Sequence, residues 1–259
     1  FGVMTFEPVP VMFFNSKLKN HRINSLEQKK NQLKKLKLDF LIIIKFNKNF
    51  SSLTAEQFIK KIIHDKTKCR YLYISKNFKF GFKRKGNVRT LKKYEKIYNY
   101  KSIITKPYKK NNKIISSTFI RKKIENGKII EANKLLKRNW CIKGKVIKGE
   151  KRGRKIGFPT CNLKLDNYIV PKLGVYAVSI NTNSLKKKKI SNVGYRPTFN
   201  GQTLLLETNI FGINKNLYNK VISICFKRFI RPEKKFKNFE HLKKQIKLDI
   251  KQAKNNVQR

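Results

Sequence analysis

Residues 149–162 read G-E-K-R-G-R-K-I-G-F-P-T-C-N, with Gly149, Gly153 and Gly157 spaced among basic side chains. Glycine lets the main chain approach a ligand closely, and successive N–H groups form an anion-binding concavity, so such a loop can cradle a polyphosphate. Thr160 and Asn162 follow on what reads as an incoming strand. Residues two apart on a strand face the same side, so both oxygens can meet one Mg²⁺, a hard ion that takes oxygen ligands and keeps several waters. The P-loop spacing G-x-x-x-x-G-K-[ST] is absent, and a basic surface hairpin would share this composition. A second candidate is Ser116-Ser117-Thr118 with Arg121 one turn on. Hydroxyls and N–H groups at a helix start make an anion site, and an arginine adds a phosphate clamp. An ordinary Ser/Thr helix cap would use the same residues.

The elements that must carry these residues change character along the chain. In the first half, strands at 3–6, 39–46, 71–74 and 102–105 alternate with helices at 25–36, 54–64 and 88–98. Thr54 with Gln57 three residues on has the form of a capping box, and Leu53 and Phe58 that of a hydrophobic staple. The β-α rhythm predicts a doubly wound α/β domain with a parallel sheet. Helices are expected at 116–125, stopped by Gly127, and at 129–136. After Trp140, strands at 141–148, 174–181, 189–193, 203–210 and 220–229 come without intervening helices, the pattern of an antiparallel barrel. Phe239, Leu242, Ile246 and Ile250 then share one face of a final helix capped by Asn238. The domain boundary is expected near Arg138, giving 1–138 and 139–259.

The 259 residues, 39% of them hydrophobic, suffice for two cores. The apolar run at 40–44 is far too short to span a bilayer. Four cysteines, Cys69, Cys141, Cys161 and Cys225, form no C-x-x-C pair, so they read as isolated buried thiols of a cytoplasmic protein, not as a zinc site or disulfide framework. A net charge of +50, from 64 basic and 14 acidic residues, invites a nucleic-acid role. The lysines are spread over every element, however, and the pure run at 186–189 falls where a loop is expected. Composition accounts for that pattern, and net charge governs nonspecific attraction, not fold.

Gly157-Phe158-Pro159-Thr160-x-Asn162 resembles the signature of riboflavin kinases. The resemblance continues in order through Gly174-Val175-Tyr176, Asn192-Val193-Gly194-Tyr195-Arg196-Pro197-Thr198-Phe199, Leu206-Glu207-Thr208-Asn209, Leu217-Tyr218 and Arg231-Pro232-Glu233-Lys234-Lys235-Phe236. It implies that Thr160 and Asn162 hold Mg²⁺ and ATP phosphates. It further implies that Glu207 takes the proton of the riboflavin 5′-hydroxyl and that Arg231 lies near the flavin. Asn209 stands where the family often has His, and Asn219 where Gly often follows Leu-Tyr; Asn tolerates the left-handed conformation such a turn needs.

The first half resembles the FAD synthetase module that precedes this kinase in bacteria. The matching residues are Thr5-Phe6-Glu7-Pro8, Phe46 with Phe50, Glu56 with Phe58, residues 77–81, Gly86-Asn87 and residues 115–121. This implies ATP contacts from Ser116, Ser117, Thr118 and Arg121, and a flavin contact from Asn77. Riboflavin, FMN, FAD and ATP are then substrates and products, with small molecules as the partners and neither specific nucleic acid nor membrane. The family's H-x-G-H motif is not formed by His21, His64 or His241, Val9 replaces a common His, and Ser75 a common Gly. The expectation is a fragment whose first module lacks a strand and whose product is FMN, not FAD. A riboflavin kinase with a degenerate first domain and a basic nucleic-acid-binding protein are the competing readings.

Overall fold

The computed structural model describes residues 1–149, 157–182, 185–198, 201–210 and 217–255. Two compact units emerge: Phe1–Lys17 with Leu38–Ile115, and Leu18–Lys37 with Ser116–Arg259.

In the first unit, strands β1 (Gly2–Glu7) and β2 (Phe40–Lys45) pair in parallel, as do β3 (Tyr71–Ser75) and β4 (Lys101–Thr105). A short hairpin, β5 (Lys109–Lys110) and β6 (Lys113–Ile114), follows. Met4 and Ile44 from the first pair and Leu72 and Ile74 from the second join one core with Phe58, Ile59, Ile63 and Leu91. The Thr54 capping box forms as the sequence predicts, the Gln57 N–H donating to Thr54 Oγ1 at 3.1 Å and Thr54 N–H to Gln57 Oε1 at 3.0 Å. Its helix, Ala55–Phe58, runs on as a π-helix over Ile59–Lys66. The helix expected over 88–98 stops at Lys93. Beyond it the Tyr100 hydroxyl donates to Leu91 O at 2.6 Å inside the core.

The second unit is built on a six-stranded antiparallel sheet in the order β7-β12-β9-β10-β11-β8. Its strands are β7 (Cys141–Lys145), β8 (Thr160–Lys164), β9 (Gly174–Thr182), β10 (Leu185–Thr198), β11 (Gly201–Asn209) and β12 (Val221–Arg231). Ile147 N–H, just past one edge strand, donates to Asn162 O on the other edge at 2.9 Å, so the barrel is nearly closed. Trp140, Tyr176, Phe226, Leu163 and Ile180 fill its interior. A buried Ser191–Thr208 hydroxyl pair at 2.7 Å satisfies the polar atoms among them. The helix Phe239–Asn255 lays Ile246, Ile250 and Ala253 over Val175, Ala177 and Ile190.

Residues 186–189 do not form a loop: they belong to β10 and pair with β9, Lys186 opposite Asn181 and Lys189 opposite Val178. Backbone ladder bonds are indifferent to side-chain type, so a lysine run continues a strand whose hairpin partner is in register.

The segment Leu18–Lys37 lies against the barrel. Trp140 Nε1 donates to Ile23 O at 2.8 Å, giving a fully buried indole the partner it needs. Gln28 Nε2 donates to Cys141 O at 2.9 Å, and the Tyr168 hydroxyl donates to Gln28 Oε1 at 2.9 Å. Ile169 N–H donates to Arg22 O at 2.8 Å. The helix Leu26–Lys34 in this segment starts on a Ser25–Gln28 capping box.

The cysteines depart from expectation. Cys141 and Cys225 are directly paired across β7 and β12 and joined in a disulfide, a partnership hidden by their sequence separation of 84. Cys69 and Cys161 are free; burial raises both thiols, Cys161 up to about 12, and Cys161 is fully buried while Cys69 is only partly so. The thiolate is the reactive form. An alkylating reagent at pH 8 without reductant should therefore label Cys69 and spare Cys161, with Cys141 and Cys225 labelled only after reduction. Peptide mass spectrometry reads this directly, and labelling of Cys141 before reduction would restore the free-thiol reading.

Candidate functional site

Strand β8 alternates as the sequence predicts: Cys161 and Leu163 are buried in the barrel, while Thr160 and Asn162 take the opposite face. Register sets what they meet. Asn162 lies opposite Glu207 and Thr160 opposite Asn209 on β11, while Asn192 on β10 lies opposite Glu207 from the other side. One face thus gathers a hydroxyl, three amides and a carboxylate across three adjacent strands.

Asn162 is 5% exposed, and its Oδ1 finds no hydrogen-bond donor among the described residues. Leaving a buried acceptor unpaired costs on the order of 1–3 kcal/mol, so this oxygen is one that a cation would satisfy. Gly149 runs directly beside it: a Cβ there would sit 1.9 Å from Asn162 Nδ2. Only glycine allows main chain and amide to approach so closely. Gly157 follows in open space at φ +81°, and Gly153 falls outside the described residues. A hydroxyl, an unpaired amide oxygen and a nearby carboxylate fit Mg²⁺, which usually takes one or two protein oxygens together with substrate phosphates.

Glu207 is gripped by Arg196, whose Nη2 and Nε donate to Glu207 Oε2 at 2.9 and 3.3 Å. Arg196 Nη1 reaches Glu233 Oε1 at 3.3 Å, and Asn192 Nδ2 donates to that same oxygen at 2.9 Å. Burial opposes the charge on Arg196, but Glu207 and Glu233 outweigh it and hold its pKa above the ordinary value. In the sequence Arg196 and Glu233 stand within motifs that assign neither of them a role. The scarcity of acids was the available signal, since two of only 14 converge on one arginine.

Arg231 lies in the same cross-strand row, opposite Val175, which lies opposite Asn192, but its hydrogen bonds go elsewhere. Its Nε and Nη2 donate to Asp249 Oδ1 and Oδ2 at 2.9 and 2.8 Å, and Nη1 donates to Pro232 O at 2.9 Å. The other predicted ATP contacts open the helix Ser117–Glu125. Ser116 Oγ accepts from Phe119 N–H at 3.2 Å as its N-cap, and Arg121 Nε donates to His21 O at 3.0 Å. Asn77 lies in an exposed turn after β3, in the first compact unit, whereas Ser116, Ser117, Thr118 and Arg121 belong to the second.

A nearly closed antiparallel barrel with a Thr–Asn–Glu face, joined in one chain to a parallel α/β unit, defines a two-module nucleotide-using enzyme. The riboflavin kinase family model matches residues 136–257, and the FAD synthetase model residues 1–119. The chain is 41% identical over 252 residues to the bifunctional riboflavin kinase/FMN adenylyltransferase of Buchnera aphidicola subsp. Schizaphis graminum, covering 96% of this chain and 81% of the relative. It is 37% identical to the Bacillus subtilis enzyme of the same name, covering 97% of this chain and 81% of that one. The chain belongs to the bifunctional riboflavin kinase/FMN adenylyltransferase family. Both modules match, which favours the bifunctional reading over a kinase with a degenerate first domain. A crystal structure from Streptococcus pneumoniae, described as a macrolide-efflux protein, superposes with a TM-score of 0.82 at 30% identity, over 98% of this chain and 83% of that one. No described helix here is long and apolar enough to cross a membrane.

Proposed function

We propose that the barrel phosphorylates riboflavin with MgATP at the Thr160–Asn162–Glu207 face, and that the first module adenylylates FMN. The observation that carries the kinase reading is Asn162 Oδ1, without a donor among the described residues, directly across the ladder from Glu207. Glu207 accepts the proton of the riboflavin 5′-hydroxyl as that oxygen attacks the γ-phosphorus of ATP. The new O–P bond forms as the bond to the β–γ bridging oxygen breaks, and ADP leaves. An alcohol is a poor nucleophile until a positioned base takes its proton. Phosphoryl transfer otherwise needs alignment and charge neutralisation. Thr160 and Asn162 would hold Mg²⁺, which when bound neutralises phosphate charge, while Gly149, Gly153 and Gly157 let backbone N–H groups face the phosphates. Arg231 and Asn77 are the flavin contacts in this reading, and Ser116, Ser117, Thr118 and Arg121 the ATP contacts of the first module. In this reading the functional modules divide near Arg138, whereas the compact units break between Ile115 and Ser116 and Leu18–Lys37 packs with the kinase unit.

The partners in this reading are small molecules, and the positive charge serves no specific nucleic acid. Use of ATP supports a cytoplasmic location. Incubation with riboflavin and MgATP, followed by separation of flavins, tests the function. FMN is the expected product of the barrel. No FMN would overturn the kinase reading.

Asn162→Ala should raise KM for MgATP roughly 10–100-fold, the worth of a hydrogen bond to a charged group, with a much smaller change for riboflavin. Steady-state kinetics in each substrate measure the split. Equal losses in both would mean collapse of β8 instead.

A further inference from the structure

We propose that Arg196 is a positioning residue for the reaction, fixing the Glu207 carboxylate so that one of its oxygens faces substrate, with Glu233 and Asn192 fixing Arg196 in turn. This rests on the reading of Glu207 as the base. One edge of the guanidinium puts two donors on the same oxygen, Oε2, at 2.9 and 3.3 Å. Among the described residues no hydrogen bond reaches Oε1, which is the oxygen left to take a proton. A carboxylate can otherwise rotate, and a misplacement of about 1 Å can cost on the order of 100-fold in rate.

The arginine is itself over-determined. Nη1 donates to Tyr195 O at 2.9 Å and to Glu233 Oε1 at 3.3 Å, and Glu233 Oε1 is held by Asn192 Nδ2 at 2.9 Å. Gly194 makes the room, since a Cβ there would sit 2.1 Å from Glu233 Oε1. All three charged side chains are about one-third exposed, at 30% for Arg196, 29% for Glu207 and 36% for Glu233, so the cluster borders solvent at the face where substrate must enter. A lysine, as a single point charge, cannot reproduce a two-donor edge.

The test is a kinetic double-mutant cycle. Arg196→Met is expected to lower kcat about 10–100-fold while the KM values for riboflavin and MgATP stay near wild type. Arg196→Lys should recover part of that loss, and Glu233→Gln should cause a smaller one. The double variant Arg196→Met/Glu207→Gln should be no slower than Glu207→Gln alone, because an arginine that acts through Glu207 has nothing left to position. Multiplying losses would overturn the proposal and give Arg196 an independent role, as would wild-type kcat in Arg196→Met. Wild-type turnover in Glu207→Gln would remove the base itself, a failure distinguishable from that of Arg196.

Discussion

Glu207→Gln is expected to lower the rate of riboflavin phosphorylation by roughly 10²–10⁴, the usual contribution of a positioned general base. That corresponds to about 3–5 kcal/mol of barrier. The substitution is nearly isosteric and keeps an oxygen for the Arg196 N–H groups, which now bond Glu207 Oε2. The barrel interior is untouched, because the buried neighbours Leu206 and Thr208 point the other way. MgATP binding and the melting temperature should therefore hold while chemistry fails, since an amide can accept a hydrogen bond but not a proton at neutral pH. Single-turnover transfer from γ-labelled ATP to riboflavin isolates that step. Turnover near wild type would remove Glu207 from the mechanism.

How legible this site was in the sequence depends on which interactions are local. The alternation Thr160-Cys161-Asn162-Leu163 has the period of a strand with one buried face, and the structure buries Cys161 and Leu163 as that pattern requires. The Thr54 capping box closes over three residues and needs no tertiary knowledge. Arg196, Glu207 and Glu233 meet only because β10 and β11 pair in one register and the chain after β12 returns to them. The alternation forbids a shift of one residue, which would turn every side chain to the other face, but a shift of two keeps the faces while parting these three residues, and no local pattern excludes it.

The same limit explains the larger misses. Leu18–Lys37 reads as an ordinary piece of the α/β half, yet its Gln28 and Ile23 bond residues 113 and 117 positions away. Trp140 carried the clue, because a buried indole N–H must find an acceptor, but not the address of that acceptor. Cys141 and Cys225 looked isolated for a related reason: spacing in sequence is silent on which strands become neighbours, and here β7 and β12 do. The lysine run at 186–189 departs in the other direction, since charge does not mark a loop in a chain where lysine is everywhere, and these residues pair with β9.

Asp249→Ala should destabilise the barrel unit by about 3–5 kcal/mol, the usual cost of removing one partner from a buried ion pair. Asp249 has 2% of its side chain exposed and Arg231 has 20%. The carboxylate takes Arg231 Nε and Nη2 at 2.9 and 2.8 Å and Gln245 Nε2 at 3.0 Å. Among the described residues it is one of two polar links between β12 and the helix Phe239–Asn255, the other running from Arg228 Nη2 to Gln252 O, and Ile246, Ile250 and Ala253 add apolar contact to Val175, Ala177 and Ile190. Loss of that much stability lowers the melting temperature by roughly 10 °C in a unit of this size. The pair also bears on Arg231 as a flavin contact. Replacing both members with apolar residues, Arg231→Met with Asp249→Leu, should recover much of the lost stability, because no charge is then left buried and unpaired. If the rest of the arginine's donor fork serves the flavin, this refolded variant should still show a raised KM for riboflavin with MgATP use unchanged. Thermal melts of the single and double variants separate the two roles: recovered stability together with wild-type riboflavin kinetics would make Arg231 a strut for the helix and nothing more.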